Sequence, residues 1–135
     1  ILFFLRCHIS KKWKIKKLHQ LKEDIVFNNL KKSKIFLSFN KSEGLGMPPI
    51  EAALAGNKVI GYTGEGGKEY WKKPIFTEIP NGNALKFVKE ILKNTKKKFF
   101  DKKFKMQRHK LIQKYSFQSE KSDILKLIKL ISKKI

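Results

Sequence analysis

The chain has 135 residues, a formal net charge of +21 and 41% hydrophobic residues, with eleven Phe among them. A chain of this length is expected to form one domain that buries roughly two-thirds of its unfolded surface. The apolar and aromatic content argues against disorder despite the charge. The single cysteine, Cys7, excludes an internal disulfide and a cysteine cluster for a metal.

The excess positive charge lies at the two ends of the sequence. Residues 1–33 carry a net charge of +7, residues 34–90 only +2, and residues 91–135 carry +12. Thirty of the thirty-two basic residues are Lys, whereas reading of base edges favours the bidentate fork of Arg. The distribution favours solvated helix faces over specific nucleic-acid binding, and it leaves attraction to anionic lipid headgroups as a hypothesis.

The first third of the chain predicts a strand, a helix and a second strand. The apolar run 1–5 is too short for a signal peptide or a membrane span and reads as a buried parallel strand. Apolar residues at helical spacing predict a helix over 12–32, with Leu18, Leu21, Ile25 and Leu30 on its inner face. The run 35–39 is continuously apolar, as in buried parallel strands.

The middle of the chain predicts a helix between two parallel strands. Pro48 and Pro49 suit the first turn of a helix that begins after Met47, and Gly56 suits its C-terminal end. The run 58–62 then predicts the next strand. Strand, glycine corner, helix and strand together indicate a βαβ unit, whose helix N-terminus opens toward a ligand.

Residues 63–67 read as a flexible loop, followed by a short helix that begins near Lys68 and carries Tyr70 and Trp71. Residues 74–79 predict a third strand, which is closed by a turn at 80–82. The rest of the chain is wholly helical in pattern. We predict an amphipathic helix from Asn83, a connector at 95–98, a basic helix over 99–115, a break at 116–119 and a terminal helix. The terminal helix has an apolar stripe of Ile124, Leu127, Ile128, Ile131 and Ile135.

The chemistry that the sequence offers lies at the start of the central helix. Glu43 and Glu51 stand eight positions apart, on either side of a glycine corner. Proline has no N–H, so a phosphate at this helix N-terminus would have to use the corner amides. These are the amides of Gly44, Leu45, Gly46 and Met47. On spacing alone, a helix-dipole carboxylate and a solvated helix residue explain the two glutamates as well.

The wider pattern is more specific. The run Ser-Glu-Gly-Leu-Gly-Met-Pro-Pro-Ile-Glu-Ala-Ala-Leu-Ala-Gly-Asn-Lys-Val-Ile at 42–60 resembles the signature of the large family 4 group of retaining GT-B glycosyltransferases. That signature has two carboxylates separated by seven residues, a Gly-x-Gly/Pro corner, Glu-Ala-x-x-x-Gly and a Val-Ile strand. The resemblance covers roughly residues 30–92 and includes Gly-Gly-Lys-Glu at 66–69. The first thirty residues match poorly.

The resemblance implies an α/β fold: a Rossmann-like parallel sheet flanked by helices, which is the C-terminal half of a GT-B fold. Residues 1–135 would form a single partial domain that binds a nucleotide-sugar, with the terminal helices, 96–135, packing back on it. By resemblance, Glu43 would contact the donor sugar, residues 44–47 would face the diphosphate, and Glu51 would bind the ribose. Gly66, Gly67 and Glu69 would belong to a loop at the donor site.

By the same resemblance, the reaction is transfer of a sugar from a nucleotide-sugar to a glycan or lipid-linked acceptor, with retention of configuration. No cofactor and no essential metal are expected, and catalysis would consist of positioning and stabilisation of the departing diphosphate. No separate catalytic residue is assignable. Such enzymes place the acceptor site in an N-terminal domain that this sequence lacks, so we expect the chain to be inactive alone. We expect a cytoplasmic location, with peripheral contact to anionic membranes.

Two other interpretations remain open. The first is a stand-alone basic module that binds nucleic acid or another polyanion, which predicts binding with a steep salt dependence. The near-neutral middle of the chain, with Glu43 and Glu51, disfavours it. The second is a truncated product whose terminal helix exposes an apolar stripe meant for a missing domain.

Overall fold

A parallel β-sheet forms the centre of the fold. The computed structural model describes residues 1–40, 46–97 and 101–132. Its described part contains the strands β1 (Ile35–Ser38), β2 (Lys58–Gly61) and β3 (Phe76–Glu78), in the order β1-β2-β3 with both pairs parallel. Ile35 is opposite Lys58, and Val59 is opposite Phe76. The predicted α/β fold with a helix-flanked parallel sheet is confirmed at this level.

Helices precede, connect and follow the strands. Their bounds are α1 (Leu2–His8), α2 (Glu23–Lys32), α3 (Met47–Leu54), α4 (Ala84–Thr95), α5 (Lys102–Lys114) and α6 (Phe117–Ser132), with a short 3-10 turn at Gly66–Glu69. Helix α3 connects the carboxyl end of β1 to the amino end of β2. The predicted βαβ unit is therefore confirmed, and each predicted strand from 35 onward is present in shorter form.

The two faces of the sheet carry separate parts of the core, because successive strand residues point to opposite sides. Val59 packs with side chains of α3 and α5 on one face. Ile60 packs with Leu5 of α1 and Phe87 of α4 on the other. The helices thus form a layer on each side of the sheet.

The prediction of a strand at 1–5 is wrong. The segment is helical, and only Leu5 of α1 is buried, against α4, while Phe3 and Phe4 are exposed. The rings of Phe4 and His8 stack at a centroid distance of 4.1 Å, one helical turn apart. A short apolar run has no periodicity that separates a strand from a helix, so tertiary packing decided the outcome.

The helix predicted over 12–32 is shorter, since only α2 is helical. Gln20 has a positive φ of 51°, which interrupts any helix through this stretch. Leu18 still packs against the core from the connector, whereas Leu21 and Ile25 are exposed. Leu18 was therefore predicted correctly as a core residue, although it lies in an irregular segment and not in a helix.

The predicted break at 116–119 is shorter in the structure, where only Tyr115 and Ser116 separate α5 from α6. Helix α6 begins at Phe117, and the backbone N–H of Ser119 donates to the Ser116 hydroxyl at 3.2 Å, as at a helix N-cap. The C-terminal helix therefore starts earlier than its apolar pattern suggests.

The two terminal helices differ in how they meet the domain. Phe104 and Leu111 of α5 are buried in the core on the α3 side, whereas no described residue of α6 is buried. Six large aliphatic residues of α6, between 50 and 63% exposed, face solvent: Ile124, Leu125, Leu127, Ile128, Leu130 and Ile131. Packing of the whole of 96–135 on the domain stays a prediction. Among the described helices, none has the length and apolar content to cross a bilayer.

Gly61 allows β1 and β2 to meet closely at their carboxyl ends. A Cβ at this position would lie 1.9 Å from the backbone oxygen of Ser38. The same oxygen accepts a hydrogen bond from the backbone N–H of Tyr62 at 3.0 Å, and the Ser38 hydroxyl donates to the backbone carbonyl oxygen of Tyr62 at 3.3 Å. Only glycine fits here, at the edge of the sheet where open α/β folds bind ligands.

Candidate functional site

Gly46 and Met47, which the sequence singled out, form the described part of the corner before α3. Gly46 precedes the helix in the left-handed conformation, at φ 65° and ψ 68°, which glycine adopts without steric cost. Met47 opens the helix and is exposed, and the two prolines follow in its first turn. Because the prolines lack N–H groups, the described amides available here to an anion are those of Gly46 and Met47.

Tyr70 joins this corner to the glycine turn at 66–69. Its hydroxyl donates to the Gly46 carbonyl at 2.9 Å, although the two residues are 24 positions apart. A Cβ on buried Gly67 would lie 3.3 Å from the same hydroxyl oxygen, so the Tyr70 ring packs tightly against this glycine. Two segments that the sequence assigned to one site therefore meet at Tyr70.

Glu51 lies on the exposed side of α3. Its neighbours Ile50, Ala52 and Ala53 are buried against the sheet, while Glu51 itself is exposed. Within the described residues its carboxylate has no hydrogen-bond or ion-pair partner. The structure therefore leaves this carboxylate able to accept hydrogen bonds from a ligand.

The carboxylate of Glu69 instead binds two side chains at the C-terminal end of α5. Its carboxylate accepts a hydrogen bond from the Tyr115 hydroxyl at 3.0 Å and one from the Lys114 ammonium at 3.2 Å. The hydroxyl first and then the ammonium lower the pKa of Glu69 below its usual value. A carboxylate held in this way ties the 3-10 turn to α5. Its predicted place in a donor-site loop stays a prediction.

Arg108 of α5 closes the other end of α3. Its Nε and Nη2 both donate to the Leu54 carbonyl, at 2.9 and 2.7 Å. A cation at a helix C-terminus also interacts favourably with the helix dipole. Both ends of α3 are thus fixed from outside the βαβ unit, the start through Tyr70 and the end through Arg108.

Three predicted donor-site residues, Glu43, Gly44 and Leu45, lie outside the described residues. Of the others, the structure brings Gly46 and Gly67 together at Tyr70, and it leaves Met47, Glu51 and Gly66 exposed. The roles assigned to all of these residues by resemblance stay predictions.

Sequence reasoning missed Tyr70, Lys114 and Tyr115 as organisers of this region. Tyr70 follows the Gly-Gly-Lys-Glu run directly, and a buried tyrosine usually needs a partner for its hydroxyl, so this signal was available. Nothing in the pattern indicates a contact between Glu69 and residues 45 or more positions later.

The arrangement supplies backbone amides, an unpartnered carboxylate and a glycine turn, which together suit a polar, partly anionic ligand. In the described part of the chain, no group of three or more His, Cys, Asp or Glu side chains comes together to hold a metal. Comparison with protein-family models, with curated proteins and with solved structures found no match to this chain.

Proposed function

We propose that this chain is the donor-binding half of a retaining glycosyltransferase, with a Rossmann-like domain of the GT-B type. It would hold a nucleotide-sugar from which a sugar is transferred to a glycan or lipid-linked acceptor. The observation that carries the proposal is the hydrogen bond from Tyr70 to the Gly46 carbonyl. It unites the two glycine segments that the sequence resemblance assigns to one donor site.

Each part of the site has a chemical task under this proposal. The amides of the corner would face the diphosphate, whose negative charge grows as the glycosidic bond to it breaks. The exposed Glu51 carboxylate would accept hydrogen bonds from the two ribose hydroxyls. Glu43 would bind the sugar, and Gly66 and Gly67 would allow close approach of the turn to the ligand.

Sugar transfer under this proposal also requires an acceptor-binding domain. The described residues form one sheet with its helices, and the resemblance places the acceptor in a separate domain. The chain by itself should bind a nucleotide without transferring sugar. No cofactor or metal ion has a task in this proposal, since the residues act by positioning and by stabilising charge.

Membrane contact is a second part of the proposal, and helix α6 supports it. Its exposed aliphatic residues lie on the same helix as Lys121, Lys126 and Lys129. An amphipathic helix of this kind lies in the interface of an anionic bilayer, with its apolar side in the acyl boundary. A lipid-linked acceptor and a cytoplasmic, membrane-peripheral location fit that placement.

Nucleotide titration tests the proposal. We expect calorimetry to show saturable binding of one of UDP, GDP and ADP to the purified chain. Glu51→Ala should weaken that binding about tenfold or more, because a carboxylate that bonds two hydroxyls contributes about 1.5–3 kcal/mol.

A matched variant controls for the loss of negative charge. Glu120→Ala removes an exposed glutamate from α6, and we expect it to leave nucleotide affinity within about twofold of the original. Absence of binding to any nucleotide by the folded chain would contradict the proposal. Equal tightening by both variants, which follows when anions bind through net positive charge alone, would instead favour a basic polyanion-binding module.

A further inference from the structure

A polar cavity lies away from the corner before α3. It has a volume of about 290 Å³ and is open to solvent. Lys58, the first residue of β2, lines it, together with Lys73, Lys93 and Lys97. Because Lys58 stands at the amino end of its strand, this cavity lies at the opposite edge of the sheet from the carboxyl ends, where the proposed donor site is.

Among the lysines that the structure describes, Lys58 is unusual because it is buried, at 5% exposure. Its ammonium donates a hydrogen bond to the Pro74 carbonyl, and an ammonium has two further N–H groups to donate. A buried cation is costly unless it is paired. The structure retains one here, in a cavity that other cations line.

The two acidic side chains of the cavity are already engaged. Glu90 of α4 lies 3.7 Å from the Lys93 ammonium and accepts a long hydrogen bond of 3.4 Å from Asn94. Asp101 caps α5 by accepting the N–H of Phe104 at 2.8 Å. Neither carboxylate forms an ion pair with Lys58.

The other two cations of the cavity have no acidic partner. In the part of the chain that the structure describes, neither Lys73 nor Lys97 forms an ion pair. Both lie close enough to act on Lys58, whose pKa falls to about 8, chiefly through burial and then through these neighbours, against the opposing effect of Glu90. The cavity thus gathers more positive charge than its own carboxylates balance.

From this cluster of Lys58, Lys73 and Lys97 around one cavity, we propose a binding site for a small oxyanion of the phosphate class. The anion would accept hydrogen bonds from Lys58 and neutralise the two unpaired ammonium groups. Free phosphate and the phosphate of a small ester share this chemistry, and the volume is near the lower limit for small-molecule pockets. The site is independent of Glu51 and of the proposed donor.

Titration with inorganic phosphate and with ribose 5-phosphate tests the site and separates the two sources. At about 150 mM NaCl, where nonspecific attraction is screened, we expect saturable binding of one molecule per chain. Tighter binding of inorganic phosphate identifies a free-anion site, and tighter binding of the ester identifies a phosphorylated ligand. Either supports the proposal, and absence of saturable binding of both overturns it.

Matched double variants decide whether the cavity is responsible. Lys73→Met with Lys97→Met should weaken binding about tenfold or more. Lys11→Met with Lys12→Met removes the same charge from exposed positions and should change affinity less than about twofold. Equal weakening by the two pairs would overturn the site. Glu51→Ala should leave phosphate binding unchanged, which separates this site from the donor site.

A pH series provides a readout of Lys58 itself. Sulfate serves as the probe, since its charge is constant between pH 7 and pH 9, on either side of the Lys58 pKa of about 8. Affinity should fall as pH rises through that range, because binding favours the protonated amine. Lys58→Met should weaken binding and remove the pH dependence. An unchanged pH dependence in this variant would contradict the proposal.

Discussion

At the scale of single residues, two features restrict which side chains a position tolerates: close approach of two backbones, and burial of a charge. Gly61 shows the first, because a Cβ there would collide with the Ser38 backbone of β1. Gly82 provides a contrast. Gly82 also has a positive φ, of 80°, but a Cβ there would meet nothing within 4 Å. Both positions therefore have a backbone conformation that favours glycine, but only at Gly61 would a side chain also clash with a neighbouring strand.

We predict that Gly61→Ala lowers the free energy of unfolding by about 3 kcal/mol or more, because the Cβ would force β1 and β2 apart. Gly82→Ala should cost about 1 kcal/mol, the price of a left-handed alanine. Chemical denaturation measures both. Equal effects of the two substitutions would show that the Ser38 contact does not constrain the strands.

Lys58 gives a prediction for stability against pH. Its pKa is about 8 in the folded chain and 10.5 for the free side chain, so between these values the unfolded chain binds more protons. Stability attributable to this residue therefore rises with pH across that window, and the full penalty is present below pH 8. Lys58→Met should stabilise the chain at pH 7 by about 2 kcal/mol, after allowing for the lost hydrogen bond.

The stabilisation that Lys58→Met gives over the original chain should shrink as pH rises from 7 to 10. Thermal unfolding of both chains at a series of pH values measures this difference. Lys12→Met, at an exposed position, controls for the general loss of positive charge and should give little change at any pH. A stabilisation that is constant across the series would contradict the buried-charge explanation.

At the scale of elements, helix α3 was predictable because two independent signals marked it. Its apolar run is bounded by two prolines at the start and by Gly56 at the end, and the helix is present. Apolar character alone gave opposite outcomes, since the run 35–39 formed strand β1. The run 1–5 had apolar character alone, and it formed a helix. Contacts such as that of Tyr70 with Gly46 depend on how elements pack, so the site was predictable only as separate segments.

Besides the buried Phe104 and Leu111, one polar side chain with a specific geometry attaches α5 to α3. Arg108 directs two N–H groups at the Leu54 carbonyl, which a lysine cannot reproduce. We predict that Arg108→Lys lowers the free energy of unfolding by about 1 kcal/mol and Arg108→Met by about 2 kcal/mol. Lys110→Met, an exposed change on the same helix, should have little effect, and denaturant titration compares all three.

Helix α6 is predicted to bind anionic membranes through its apolar side. Co-sedimentation with vesicles that contain phosphatidylserine should capture the chain, and Ile128→Glu should reduce partitioning about tenfold. Ser122→Glu adds the same charge to the same helix at a polar, exposed position and should reduce it much less. Absence of binding to anionic vesicles would contradict membrane contact and favour a protein partner for the stripe. Equal loss in both variants would contradict binding through the apolar side, since charge alone would then explain it.

At the scale of the whole molecule, charge and candidate site are separated along the chain. The βαβ unit lies in the segment with a net charge of only +2, while the residues from 91 onward carry +12. A module that binds polyanions by charge alone would use its basic ends, and its affinity would follow the number of phosphates. A donor domain would recognise the nucleoside through groups in the near-neutral middle.

The measurement that separates these accounts most directly is calorimetric binding of the preferred nucleoside diphosphate and of pyrophosphate, to the original chain and to Glu51→Ala. The donor-domain account predicts that the original chain binds the nucleotide at least about tenfold more tightly than pyrophosphate, and that Glu51→Ala removes most of this preference. Equal affinity for the two ligands, unchanged by Glu51→Ala, would contradict the account.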